Sequence, residues 1–198
     1  MNGKYPFIYF SKIKRIKTTV YVVKIPENFW TGTYEIQDTI AYYQEFEKPK
    51  IIYPNICRKP ELTFDETDYY TNQKCFIIPT TDKYLLGILN SSVTFFLFRV
   101  ILPKLRGIFY EPSYVHFKDF PIRQMNFDDP TDKANHQKMV QLVEQMFALN
   151  QQRAANNDDH TQTLIERRIK ATDKQIDQLV YTLYKLTAKE IQRVENHF

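Results

Sequence analysis

Two apolar runs dominate the hydrophobic pattern of the chain: residues 84–89 (YLLGIL) and 93–102 (VTFFLFRVIL), separated by Asn90-Ser91-Ser92. Neither run tolerates solvent, and both read as short buried helices. Asp82 and Ser91 serve as N-caps, and Asn90 ends the first helix. Polar residues and Arg99 interrupt the stretch too often for a membrane span. Upstream, β-branched and aromatic residues predict strands at 17–25, 50–56, 61–65, 69–72 and 74–79, joined by short polar turns. Pro54, near the end of its strand, predicts a sheet edge or a bulge. Residues 35–47 stay open between helix and extended chain. Downstream, 108–110 reads as extended and 115–120 as one helical turn stopped by Pro121.

After that the periodicity changes. Asp129-Pro130 is a helix start, with Asp as N-cap, Pro at the first helical position and Asp132 in the first turn. Met139, Leu142, Val143, Met146 and Phe147 follow at helical spacing. A polar break spans 151–159, and Ile165, Ile169, Thr172, Ile176, Leu179 and Leu183 then form a heptad-like stripe. Thr187 and Glu190 predict a capping box for a last short helix. The expected fold is α+β: a small curved, mainly antiparallel sheet packed with short helices, followed by an antiparallel helical hairpin. The hairpin has two readings, intramolecular packing and an oligomerising coiled coil; the shortness of the heptad run favours the first.

Composition sharpens the division. Of the 30 aromatic residues 26 precede Asp128, all ten prolines lie at or before Pro130, and no glycine follows Gly107. The expected domains are therefore 1–128 and 129–198. Charge is also uneven: residues 1–26 carry +6, 27–80 carry −4, 81–126 carry +3 and 127–198 carry −1. Two cationic blocks around an acidic one suit a surface with nucleic acid on one face. Cys57 and Cys75 lack metal-ligand spacing and read as small core residues. No apolar signal region is visible at the start, so a cytoplasmic protein is the simplest expectation.

The candidate binding chemistry is cationic and aromatic. Arg58, Lys59, Lys74, Lys104, Arg106, Lys118 and Arg123 fall in loops or at element ends, interleaved with Tyr69, Tyr70, Tyr110 and Tyr114. Such cations neutralise phosphates, and an arginine fork also fits guanine O6 and N7. Asn72 and Gln73 carry the amide chemistry that reads adenine. If 104–106 is extended, Lys104 and Arg106 share one face with Leu105 turned inward. DNA-binding candidates are thus Arg58, Lys59, Asn72, Lys74, Lys104, Arg106, Tyr110, Lys118 and Arg123.

The order of these pieces carries a resemblance. KYLLGILNS at 83–91, PKLRG at 103–107, FKDFPI at 117–122, FEKPKIIYP at 46–54 and CFIIP at 75–79 resemble the TaqI-like C-terminal specificity domain. IDQLVYTLYKLTAKEI at 176–191 is similar to the helical ending of such enzymes. The family comprises the target-recognition parts of adenine-specific DNA methyltransferases and restriction-modification enzymes. The resemblance implies double-stranded DNA as partner. It also implies a methyltransferase or nuclease portion, on the same or a partner polypeptide, that would bind S-adenosylmethionine. The catalytic motifs themselves are missing. No N-P-P-Y-like tetrapeptide exists, the nearest string being Glu111-Pro112-Ser113-Tyr114. There is no Gly-rich nucleotide loop, and no lysine has Asp or Glu two positions before it. His116 and Asp119 share a helical face and read as a surface pair rather than a catalytic one. The expectation is a recognition domain without catalytic, cofactor or metal residues of its own. The alternative is a specificity-subunit-like adaptor whose helical tail docks a separate methyltransferase or nuclease.

Overall fold

The computed structural model describes residues 14–15, 21–22, 43–67, 69, 71 and 74–196. Expectations for 1–13, for most of 17–25 and 35–47, and for Tyr70, Asn72 and Gln73 lie outside these residues. The described chain begins with β1 (Lys14–Arg15), β2 (Tyr21–Val22) and a 3-10 turn (Tyr43–Glu47). It continues through β3 (Lys50–Pro54), β4 (Thr63–Asp65) and β5 (Cys75–Pro79). Then come α1 (Lys83–Leu89), α2 (Ser92–Ile101), β6 (Lys104–Leu105), β7 (Phe109–Tyr110), α3 (Tyr114–Phe117) and β8 (Pro121–Ile122). The helices α4 (Pro130–Ala155), α5 (Asp159–Leu183) and α6 (Ala188–Glu195) complete it. The architecture is mixed α+β: small antiparallel sheets with short helices, then two long packed helices forming a hairpin.

The main sheet has the order β2-β5-β3-β4, all antiparallel. β3 is therefore internal, not an edge strand. Pro54 is tolerated because β4 pairs only with Lys50, Ile51 and Ile52. The Asn55 N–H donates to the Lys74 carbonyl across the β5 side at 2.8 Å, so the missing proline N–H faces the side that β4 does not reach. Residues 69 and 71 are not in strands.

Local signals fix the helices. The Asp82 side chain accepts from the Tyr84 N–H, Ser91 from the Thr94 N–H, and Asn90 is the C-cap of α1. Asp129 caps α4, and Thr187 with Glu190 forms the capping box of α6. The polar break between α4 and α5 is shorter than expected, with 156–158 alone outside the helices. Its caps are local: the Asp158 side chain accepts from the Thr161 N–H at the start of α5. No single helix among the described residues is long and apolar enough to cross a membrane, and α1 and α2 bend by 56° at their junction.

One core joins the main sheet, α1, α2, α3 and the long helices. Ile51, Tyr53 and Ile78 of the sheet, the apolar faces of α1 and α2, and Phe117 and Phe120 pack together with Met139, Val143, Leu179 and Val180 of the long helices. The core therefore runs through the compositional boundary at 128/129. Gly87 lets α1 approach α4 closely. A Cβ there would lie 2.5 Å from Met139 Sδ and 2.9 Å from its Cγ, and Met139 is 0% exposed. Both cysteines are free, with Cys57 buried and Cys75 half-buried.

A second fixed point is Lys50, whose side chain is 0% exposed. Its Nζ lies 2.6 Å from Asp65 Oδ2 and donates to the carbonyls of Phe46 at 2.6 Å and Thr67 at 2.9 Å. Burial pushes the Asp65 carboxyl up, but the Lys50 ammonium and the Thr67 hydroxyl and N–H outweigh it and hold it below the usual carboxylate range. The pair ties the 3-10 turn, β3 and β4 together.

Candidate nucleic-acid interface

Pro103 follows the end of α2 and turns the chain into the β6–β7 hairpin, where Lys104 pairs with Tyr110 and Leu105 with Phe109. The three-residue turn 106–108 places Arg106 at φ 49° and Gly107 at φ 80°, both in the left-handed region. Glycine takes this geometry freely, and nothing lies within 4 Å of a Cβ built on Gly107. An arginine in the left-handed region costs about 1–2 kcal/mol, and asparagine or glycine suits that turn position better. Arg106 is exposed, and no ion pair holds it among the described residues. The expectation that Lys104 and Arg106 share one face of an extended segment is corrected. The strand ends at Leu105, and the left-handed turn redirects Arg106.

The base of the hairpin is rigid. The Tyr110 N–H donates to the Cys57 carbonyl at 2.8 Å, and the Cys57 N–H donates to the Tyr110 carbonyl at 3.1 Å. The Tyr110 ring meets Phe95 edge-on and Phe98 at a tilt, each at 6.1 Å between centroids. Tyr110 is 7% exposed, so its nomination as a surface DNA contact is corrected: the ring anchors the hairpin in the core. The same bridge carries the 57–59 loop to the hairpin. The Arg58 guanidinium lies 5.2 Å above the Phe109 ring, with Lys59 exposed beside it. Arg58, Lys104 and Arg106 are thus gathered around one hairpin, and Lys59, next to Arg58, also lines the groove toward Asp173 of α5. Ile108, 55% exposed, stands at its tip. Its exposure was missed in the sequence because 108–110 reads as a single extended segment.

The remaining candidates separate. Lys74 is exposed in the turn before β5, and its carbonyl bonds to Asn55, at the sheet end that leads into the 57–59 loop. Lys118 Nζ sits 5.7 Å from the Tyr114 ring centre on α3. Asn72 lies outside the described residues. Arg123 is engaged within the fold. Its two terminal nitrogens bond to Asp132 at 3.0 and 2.8 Å, a bidentate fork, and Asp132 also accepts from the Asn126 N–H at 2.9 Å. The Arg123 backbone is held as well: its carbonyl accepts from the Tyr84 hydroxyl at 3.0 Å, and its N–H donates to the Tyr184 hydroxyl at 3.3 Å. The Arg123 guanidinium and the Asn126 N–H hold the Asp132 carboxyl below the usual range. Arg123 closes the joint between β8 and α4.

Among the described residues no three His, Cys, Asp or Glu side chains gather to hold a metal ion. His116 and Asp119 meet in the local turn, where the Asp119 N–H donates to the His116 carbonyl at 3.4 Å. Neither lines the groove that lies between the sheet and the helical hairpin.

The comparisons agree with this architecture. The family model of the TaqI-like C-terminal specificity domain matches residues 8–122, more than half of the chain, and the protein belongs to that family. A solved structure described as the type IIL restriction-modification enzyme MmeI in complex with DNA matches with a TM-score of 0.52 at 14% identity. The match covers 76% of this chain and 22% of that enzyme's chain, so the likeness is one of fold to a part of a larger protein. No curated protein sequence matches the chain.

Proposed function

We propose that this protein is the DNA target-recognition domain of a restriction-modification system and uses the β6–β7 hairpin to read double-stranded DNA. The single observation that carries the reading is the hairpin itself. It has a core-anchored base, and an exposed arginine is held at its tip in a backbone conformation that costs energy. A two-stranded ribbon fits the major groove. There, Arg106 meets a base edge or a phosphate, and Lys104, Arg58 and Lys59 meet the backbone. Family membership and the fold shared with part of a DNA-bound restriction-modification enzyme support this reading.

Catalysis, in this reading, resides on other polypeptide. Adenine methylation, S-adenosylmethionine binding and any cleavage belong to a methyltransferase or nuclease portion on the same or a partner chain. The test is selection of duplexes from a randomised pool by the full chain. A recovered consensus whose affinity falls steeply with salt supports recognition. Binding without sequence preference, or no binding, refutes it.

A further inference from the structure

A groove of about 660 Å³ opens between the 59–63 loop, the α1–α2 turn and the helices α4 and α5. Its inner wall is apolar, with the half-buried Phe95, Met146 and Phe147. Glu61, Asp173 and Asp177 add carboxylates to the lining, and Lys59 adds one cation. Asp173 and Asp177 stand four apart on α5, a like-charged spacing that disfavours the helix. Asp177 accepts from the Ser92 N–H at 2.7 Å and from its hydroxyl at 2.6 Å. No cation pairs with either aspartate among the described residues. Desolvation pushes both carboxyls above the usual range; the Asp177 charge adds to the rise at Asp173, and Lys59 opposes it.

This chemistry narrows the occupant. Duplex DNA would bring phosphates against carboxylates, and the described residues offer no metal-binding cluster. An apolar wall beside three carboxylates and one lysine, a net negative lining, is complementary to a side chain that is aliphatic along its stem and cationic at its end. We propose that the groove docks a protein segment in which an arginine or lysine stands beside leucine-like side chains, contributed by the catalytic polypeptide of the system. The identity of that partner rests on the recognition reading above; the chemistry of the groove does not. The two surfaces divide the labour by sign: cations on the β6–β7 hairpin for DNA, carboxylates in the groove for protein.

The test uses the full chain carrying 13C-methyl methionine and the acetylated peptide amide Leu-Arg-Leu-Leu, with a version in which neutral citrulline replaces arginine. The Met146 methyl signal should shift and saturate with the arginine peptide while Met125, beside Arg123, stays fixed. Affinity should fall at least fivefold with citrulline, and at least fivefold for Asp173→Asn, whose folding and duplex affinity should match the parent. Four results would overturn the proposal. These are no Met146 shift, equal binding of the citrulline peptide, an unaffected Asp173→Asn, or displacement of the peptide by duplex DNA. A Met146 shift that tracks protein concentration without peptide would assign the groove to a second copy and equally overturn it. If the parent chain binds no DNA while the peptide results hold, the recognition reading fails and the groove chemistry stands.

Discussion

Arg106 and Arg123 stand seventeen positions apart in cationic stretches that look alike in sequence, and the fold places them in opposite settings. In the β6–β7 hairpin, the rigid part lies below the arginine, in Tyr110 and its bridge to Cys57, and the guanidinium is left exposed. At the β8–α4 joint the guanidinium itself is part of the rigid structure, forked onto Asp132 with its backbone held between Tyr84 and Tyr184. A loop arginine is therefore available to a ligand only where no carboxylate is delivered to it by the next element. Here that carboxylate arrives nine residues later, in the first turn of α4.

The comparison is broken most severely by removing the element that supplies the carboxylate. Under the adaptor alternative, deleting 133–198 should leave DNA binding largely intact. The shared core argues otherwise: without Met139, Val143, Leu179 and Val180, the apolar faces of α1 and α2 lose their cover. The truncated chain should not fold, visible as loss of a cooperative melt and of all duplex binding.

Next comes the buried counterpart of the clamp. Asp65→Ala leaves the Lys50 ammonium in the core without its carboxylate, and should cost about 3–5 kcal/mol in denaturant melts. Arg123→Ala at the half-exposed joint should cost less, about 2 kcal/mol. The affinity of the folded fraction for duplex should be unchanged, as measured by binding well below the melting range.

The clamp also fixes the sign of a pH effect. The folded-state pKa of Asp132 lies below its unfolded value, so its contribution is fully present above that unfolded value of about 3.9. The contribution is lost as pH falls through the depressed folded value. Acid melts should therefore show a shallower loss of stability below about pH 5 for Arg123→Gln than for the parent chain. Equal slopes would mean that the fork does not hold the carboxylate. The smallest expected effect is at the hairpin tip, where Arg106→Gly removes the left-handed penalty but adds unfolded-state freedom. Net stability should rise by up to about 1 kcal/mol.

What the sequence displayed and what it concealed divide along the same line. The caps Asp82, Ser91, Asp129 and Thr187 were legible because each signal and its partner lie within a few residues. The apolar faces of α1, α2, α4 and α5 were legible because helical period needs only local spacing. Hidden were the facts that depend on remote chain. β3 is internal because β4 and β5 flank it; Tyr110 is buried because Cys57 pairs with it; Arg123 is engaged because α4 returns Asp132 to it. The family resemblance singled out the cationic stretch 103–107, but the left-handed turn that sets Arg106 apart goes with the pairing of Leu105 with Phe109.

The central claim is that Arg106 faces DNA and Arg123 does not. Its most direct test is the salt dependence of duplex binding for the parent chain, Arg106→Ala and Arg123→Ala, each confirmed folded at the assay temperature. Arg106→Ala should weaken binding by about 1–3 kcal/mol. A base contact predicts relaxed preference at one position of the site. A phosphate contact predicts uniform weakening and a salt slope shallower by roughly one counterion. Arg123→Ala should reproduce the parent's slope and affinity. Unchanged binding by Arg106→Ala, or an equal loss in both variants, would contradict the account.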